Sequence, residues 1–283
     1  MNRIIRTMAV LALLGAANAA SLAATITVKG SDTLVILAQK WAEIYMGKHP
    51  GAKIQVTGGG SGVGFAALQN KSTDLANASR PIRPKETEAC IKAFGKRPRE
   101  YKVAMDGLSV YVSEKNAAVQ ELTLEQLEGI FTGKVKNWKE VGGADAAITV
   151  YGRENSSGTY EFFKEHVLKG KDFAATVQTM QGTAAVVQSV AKDPKGIGYG
   201  GAAYSSGIKV VAVKKDSSSP AVLPNDDTVT QMVYPIWRYL FVYVNPALDK
   251  GEIGDYLTWI RSDDGQKIVK DIGYYPLPAR LRQ

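Results

Sequence analysis

An α/β fold, built on a largely parallel sheet covered by helices, is the class the sequence predicts, and two observations predict it. Short runs of β-branched and apolar residues alternate with longer stretches whose apolar residues fall at helical spacing. Three times, the join between such a run and the next helix is a turn rich in Ser, Thr and Gly. In an open α/β sheet ligands gather at the carboxyl ends of the strands, so those turns are also where a site is expected. Composition agrees: 283 residues, 45% hydrophobic and 22% charged, suit one or two packed domains and leave no room for extensive disorder.

The first residues read as an address rather than as structure. Arg3 and Arg6 precede an apolar run from Met8 to Leu14, followed by small residues containing Ala17-Asn18-Ala19. A basic head, a short apolar body and an A-x-A site describe a cleaved secretory signal peptide over residues 1–19, with Ser21-Leu22-Ala23 offering a second cleavage position. The run is shorter than the roughly 20 apolar residues of a membrane span. No cysteine follows it to carry a lipid anchor. Cleavage removes two arginines and no acid, lowering the formal charge from +8 to +6, and predicts an exported, periplasmic protein.

The remaining elements follow in order. Thr25 to Val28 is a strand, Lys29 to Thr33 a turn, and Leu34 to Met46 a helix with Ser31, Asp32 and Thr33 at its entrance. Lys53 to Val56 is a second strand, and the glycine run Gly58 to Gly64 opens a helix over Phe65 to Gln69. Thr73 to Ala78 is a third buried run, ending in Ser79-Arg80-Pro81 before a helix over Lys85 to Phe94. Val103 to Val112 reads as one strand containing Gly107, and Glu125 to Phe131 as a short helix. Ile148 to Tyr151 is a strand, Gly152 to Thr159 a turn, and Tyr160 to Leu168 a helix. Beyond it come a helix over Thr183 to Ala191, a strand or turn over Gly196 to Gly200, and a strand over Lys209 to Val213. Lys214 to Thr228 is the longest loop, Tyr239 to Val244 a strand, and Ile253 to Ile260 and Gly265 to Lys270 closing helices.

Residue counts exclude several chemistries. A lone cysteine, Cys90, permits no intramolecular disulfide and no multi-cysteine metal site. His49 and His166 stand 117 positions apart and form no local ligand pair. Both read as solvated, Cys90 and Trp138 as packed, and Lys96-Arg97-Pro98-Arg99 as surface charge without the interleaved aromatics of a nucleic-acid binder. The glycine run lacks the Lys-Ser/Thr ending of a nucleotide loop, and no clean G-x-G-x-x-G is present.

What remains is a set of helix entrances that suit a small anion. Unpaired backbone N–H groups and the positive end of the helix dipole attract negative charge, and hydroxyls add donors. Arg153, just before Ser156-Ser157-Gly158-Thr159, supplies a planar fork for a tetrahedral oxyanion. Asp32 is open to two readings, helix cap or ligand, and Arg80 to two, ligand or structural salt bridge.

The exported part resembles the PstS-type phosphate-binding proteins, the receptors of ABC phosphate importers. The resemblance rests on Gly30-Ser31-Asp32-Thr33, the Gly58 to Gly64 run, Thr73 to Pro81, Leu127 to Gly143, Arg153 to Thr159, Gly196-Ile197-Gly198-Tyr199, and Tyr234-Pro235 with Arg238. It implies a two-lobed, class II periplasmic-binding fold in which each lobe is a helix-flanked mixed sheet. Residues 24–107 and 236–283 would form one lobe and 108–235 the other, with crossing segments near Asp106 to Val112 and Ile236 to Val242. It implies a monomer that uses no metal or cofactor, binds no nucleic acid, and delivers inorganic phosphate to a membrane permease. Carried over residue by residue, the phosphate-binding set is Ser31, Asp32, Thr33, Ser61, Gly62, Ser79, Arg80, Arg153, Ser156, Ser157, Gly158 and Thr159. There is one departure: better-known members place an aspartate, acceptor of the phosphate proton, where Ser79 stands, which leaves Asp32 as the candidate acceptor. Receptors for sulfate, molybdate or tungstate share this chemistry. An exported phosphate-ester hydrolase would need an activated nucleophile or a metal, and no Ser motif here has an evident His partner.

Overall fold

Thr25-Ile26-Thr27-Val28 alternates exposed and buried positions, as a half-covered strand does, and joins a five-stranded sheet. The computed structural model describes residues 25–282, so the signal peptide expected over 1–19 lies outside the described residues. The chain begins with β1 (Thr25–Gly30), α1 (Val35–Lys48), β2 (Lys53–Thr57), α2 (Ser61–Gln69), β3 (Leu75–Ala78), α3 (Pro84–Phe94) and β4 (Arg99–Gly107). It continues through β5 (Ser109–Val112), β6 (Glu121–Thr123), α4 (Leu124–Phe131), β7 (Thr149–Arg153), α5 (Gly158–His166), β8 (Gln178–Met180), α6 (Thr183–Lys192), β9 (Gly196–Gly200) and β10 (Lys209–Lys214). It closes with α7 (Asp226–Thr230), β11 (Trp237–Val244), α8 (Gly251–Arg261) and α9 (Asp263–Ile272).

Two sheets result, with strand orders β2-β1-β3-β11-β4 and β6-β10-β5-β9-β7-β8. Each is mixed rather than largely parallel. In the first, β1 pairs parallel with β2 and β3, but β11 lies antiparallel between β3 and β4. In the second, β7 runs parallel to β8 and β9, while β5 is antiparallel to both β9 and β10. The physical reason is the route of the chain: β11 re-enters the first sheet with Trp237 opposite Gly107, where β4 ends, and so runs back along β4 in the opposite sense.

The single strand expected over Val103 to Val112 is two. β4 ends at Gly107, the Leu108 N–H donates to Ile236 O at 3.0 Å, and β5 starts in the other sheet. Residues 107–109 and 234–237 are therefore where the chain passes between sheets. The loop expected over Lys214 to Thr228 holds a Val213–Val222 bridge and the start of α7, whose Asn225 cap accepts from the Thr228 N–H at 2.9 Å. Strands β6 and β8, three residues each, are too short to leave an alternating pattern.

Each sheet carries its own apolar core. Trp41, Tyr45, Leu37 and Ile260 pack on the first, and Phe131, Phe163, Tyr199 and Trp138 on the second. Trp138 is buried as expected, its indole N–H donating to Lys195 O at 3.0 Å, and Cys90 is buried too. No helix among the described residues is long and apolar enough to cross a membrane.

Candidate functional site: hydroxyls at three helix entrances

Three strand-to-helix turns from two sheets meet at one point. Ser31 precedes the 3-10 turn Asp32–Leu34 that leads into α1, Gly60 precedes α2, and Ser157 caps α5. α2 begins at Ser61, inside the glycine run, because Gly60 takes φ +94° and turns the chain sharply off β2. A Cβ on Gly60 would also strike Ser156 O at 2.4 Å, so the two turns are in backbone contact, and the Gly62 N–H donates to that same oxygen at 2.9 Å.

Five hydroxyls fill the meeting point. Ser31 Oγ donates to Ser79 Oγ at 2.9 Å, and the Ser79 N–H donates to Ser61 Oγ at 3.0 Å. Thr159 Oγ1 lies 2.7 Å from Thr33 Oγ1 and 3.4 Å from Ser79 Oγ. Each of the five is at most 2% exposed. Ser157 Oγ accepts from the Thr159 and Tyr160 N–H groups, the expected duty of an N-cap. Gly158 is where α5 touches the other sheet's hydroxyls: a Cβ there would lie 2.3 Å from Ser61 Oγ and 2.8 Å from Ser79 Oγ.

Arg153, the last residue of β7, is buried at the rim of this cluster. Its Nη2 donates to Asp32 Oδ2 at 2.8 Å and to Glu154 Oε1 at 2.7 Å, its Nε to Glu154 Oε2 at 3.0 Å, and its Nη1 to Thr183 Oγ1 at 2.8 Å. Asp32 accepts in addition from the Gly59 N–H at 2.8 Å. Burial pushes the Glu154 carboxyl up, but the Arg153 guanidinium beside it and the backbone N–H groups of Glu154 and Gly182 together hold it below the usual carboxylate range. Burial also pushes the Tyr204 phenol up to about 12, keeping it a donor to Asp32 O at 2.7 Å. Beside the cluster opens a cavity of about 380 Å³ lined by Asp32, Gly59, Glu154, Ser156, Gln181 and Gly182.

The structure thus brings together Ser31, Thr33, Ser61, Ser79, Gly158 and Thr159, with Asp32, Gly62, Arg153, Ser156 and Ser157 around them. Arg80 is placed differently. Its guanidinium donates to Glu86 through Nη1 and Nη2, at 2.8 and 2.7 Å, and to Pro81 O at 2.9 Å, and it pairs through Nε with Glu161 on α5. Arg83 joins Glu161 at 2.8 Å. These contacts tie the segment between β3 and α3 to α5.

Two residues outside the predicted set border the cluster. Arg238, on β11, donates from Nη2 to Thr159 Oγ1 at 3.1 Å and from Nη1 to Ser79 O at 3.1 Å. Its partner is Asp106 on β4. The signal was in the sequence: Arg238 is the lone charge of β11, Asp106 is the lone charge of the apolar stretch Val103 to Val112, and buried charges of opposite sign are paired. Among the described residues no three His, Cys, Asp or Glu side chains cluster to hold a metal ion.

The chain matches the model of the PBP superfamily domain over residues 15–264. It is 35% identical, over 271 residues, to the phosphate-binding protein PstS of Pseudomonas aeruginosa, covering 90% of this chain and 83% of that one. The chain belongs to the PstS family of the PBP superfamily. A second PstS relative, from Staphylococcus epidermidis, is 33% identical over 259 residues, covering 89% of this chain and 78% of that one. Among solved structures, a phosphate ABC transporter substrate-binding protein from Clostridium perfringens, with phosphate bound, superposes with a TM-score of 0.82. It is 26% identical, and the match covers 90% of this chain and all of that one. The fold is the two-lobed one of this family, and the hydroxyl cluster lies between the sheets of the two lobes.

Proposed function

We propose that this PstS-family protein is an exported receptor that binds one inorganic phosphate between its lobes and hands it unchanged to the permease of an ABC importer. The observation that carries the reading is the convergence of three helix entrances on five buried hydroxyls, Ser31, Thr33, Ser61, Ser79 and Thr159, in a family whose relatives are named phosphate-binding proteins. Phosphate oxygens would take the places that these hydroxyls now fill for one another. The entrances of α2 and α5 add the helix-terminal field, and Asp32, Gly62, Arg153, Ser156 and Ser157 complete the set, while Arg80, carried by the same family motifs, is held to Glu86 and Glu161.

Export rests on the opening residues, and the lobe division on the two crossings, at 107–109 and 234–237. The receptor reading also fits the proton chemistry of the site. Its serines have carboxylates nearby, but Asp32 is held by Arg153 and Asp106 by Arg238, so neither is a free base, and His166 lines a different cavity.

The test is calorimetric titration of ligand-stripped protein with phosphate, sulfate and molybdate. One phosphate per chain, bound more tightly than the other two anions, is the expected result. Binding of sulfate or molybdate in preference to phosphate overturns the ligand, and turnover of a chromogenic phosphomonoester overturns the receptor.

A further inference from the structure

Asp106 and Arg238 stand opposite each other in register on the two strands where the chain passes between lobes. Asp106 Oδ2 accepts from Arg238 Nε at 2.9 Å and from Nη2 at 2.8 Å, while its Oδ1 accepts from the Ala202 N–H at 2.9 Å. Both side chains are buried, at 0 and 2% exposure. A buried ion pair is weak evidence of a stabilising role, since apolar residues of similar volume often serve stability as well. What sets this pair apart is its reach. The same guanidinium touches Ser79 on one wall of the hydroxyl cluster and Thr159 on the other.

We propose that Arg238 is a positioning residue of the anion site, fixing the Thr159 hydroxyl as a donor and holding Ser79 against it. Arginine has donors only, whereas a hydroxyl has one proton and two lone pairs. With Arg238 Nη2 donating into Thr159 Oγ1, the threonine's own proton must turn away from the guanidinium. The neighbours on that side are Thr33 Oγ1 at 2.7 Å and Ser79 Oγ at 3.4 Å, so the proton faces the centre of the cluster, where an anion's oxygen takes it. Asp106 keeps the fork from rotating, because it occupies Nε and one Nη2 proton. Arg238 thereby acts on the ligand through Thr159.

This inference rests on the phosphate reading above, and the experiment separates the two. Phosphate affinity and apo melting temperature are measured for wild type, Arg238→Lys, Thr159→Val, Thr159→Ser and the double variant Arg238→Lys/Thr159→Val. Lysine keeps a cation beside Asp106 but has one nitrogen, which cannot serve Asp106, Ser79 and Thr159 together. The expected result is at least a tenfold loss of affinity for Arg238→Lys and for Thr159→Val, near-wild-type binding for Thr159→Ser, and a double variant no weaker than Thr159→Val. A merely structural role for Arg238 would lower the melting temperature and leave affinity alone. Wild-type affinity in Arg238→Lys, or the same factor lost in both Thr159 backgrounds, overturns the proposal. Should Arg238→Lys fail to fold, wild-type affinity in Thr159→Val overturns it alone. A wild-type protein that binds no phosphate overturns the receptor reading and this one with it.

Discussion

At the scale of single residues, Arg153 is a clamp already closed on protein. Among the described residues four of its five N–H bonds are engaged, by Glu154 twice, Asp32 and Thr183. Asp32 is the hinge pin of that arrangement, since one carboxylate oxygen takes Arg153 and the other the Gly59 N–H. Near neutral pH phosphate keeps a proton and sulfate keeps none. A carboxylate near the ligand therefore favours the first and repels the second, and selectivity comes partly from repulsion. Asp32→Asn also turns an amide donor towards either Arg153 or Gly59, where only an acceptor fits. We expect the variant to bind phosphate more weakly and to narrow the phosphate-to-sulfate ratio, read by competition titration at fixed ionic strength. An unchanged ratio with weaker binding of both anions would make Asp32 a holder of Arg153 and nothing more.

Among the elements, α5 carries the sharpest consequence. Its first residue, Gly158, packs against Ser61 and Ser79 of the opposite lobe at distances no Cβ tolerates. Alanine is a better helix residue than glycine by up to about 1 kcal/mol. That gain partly offsets the interlobe contacts that a blocked closure removes, so Gly158→Ala is expected to lower the apo melting temperature only slightly while cutting phosphate affinity more than tenfold, because the lobes cannot come together. A large fall in the apo melting temperature would place the glycine's role in folding instead. The same helix shows what the sequence makes legible. Ser157, Gly158 and Thr159 declare a helix entrance locally, through capping chemistry and a change of hydrophobic period, as do Ser31 and Ser61. Long-range pairing leaves no such mark. Nothing near Arg238 says that β11 will insert antiparallel between β3 and β4, opposite Asp106 and 132 positions away from it. Arg80 is the converse case: its neighbours in sequence suggest the site, but Glu86 and Glu161 decide where its guanidinium goes.

Across the whole molecule, contacts between the lobes join residues that no ligand needs to bridge. Asp32 reaches Arg153, Glu161 reaches Arg80 and Arg83, and the Gly62 N–H reaches Ser156 O. They favour the closed arrangement, and a phosphate bound as proposed would add its own bonds to both walls, shifting the population further towards closure. Solution scattering should give a smaller radius of gyration with phosphate than without; identical curves from verified apo and loaded protein would mean that the lobes do not move. The pairing of both guanidiniums with carboxylates has one more effect. Arg153 is matched by Asp32 and Glu154, and Arg238 by Asp106, so the pocket presents dipoles rather than bare positive charge. Dissolved salt screens charge on the surface within about 10 Å at 0.1 M, but it has little purchase on buried hydroxyls and paired ions. A receptor made this way would keep its grip on the anion as the ionic strength around it rises and falls.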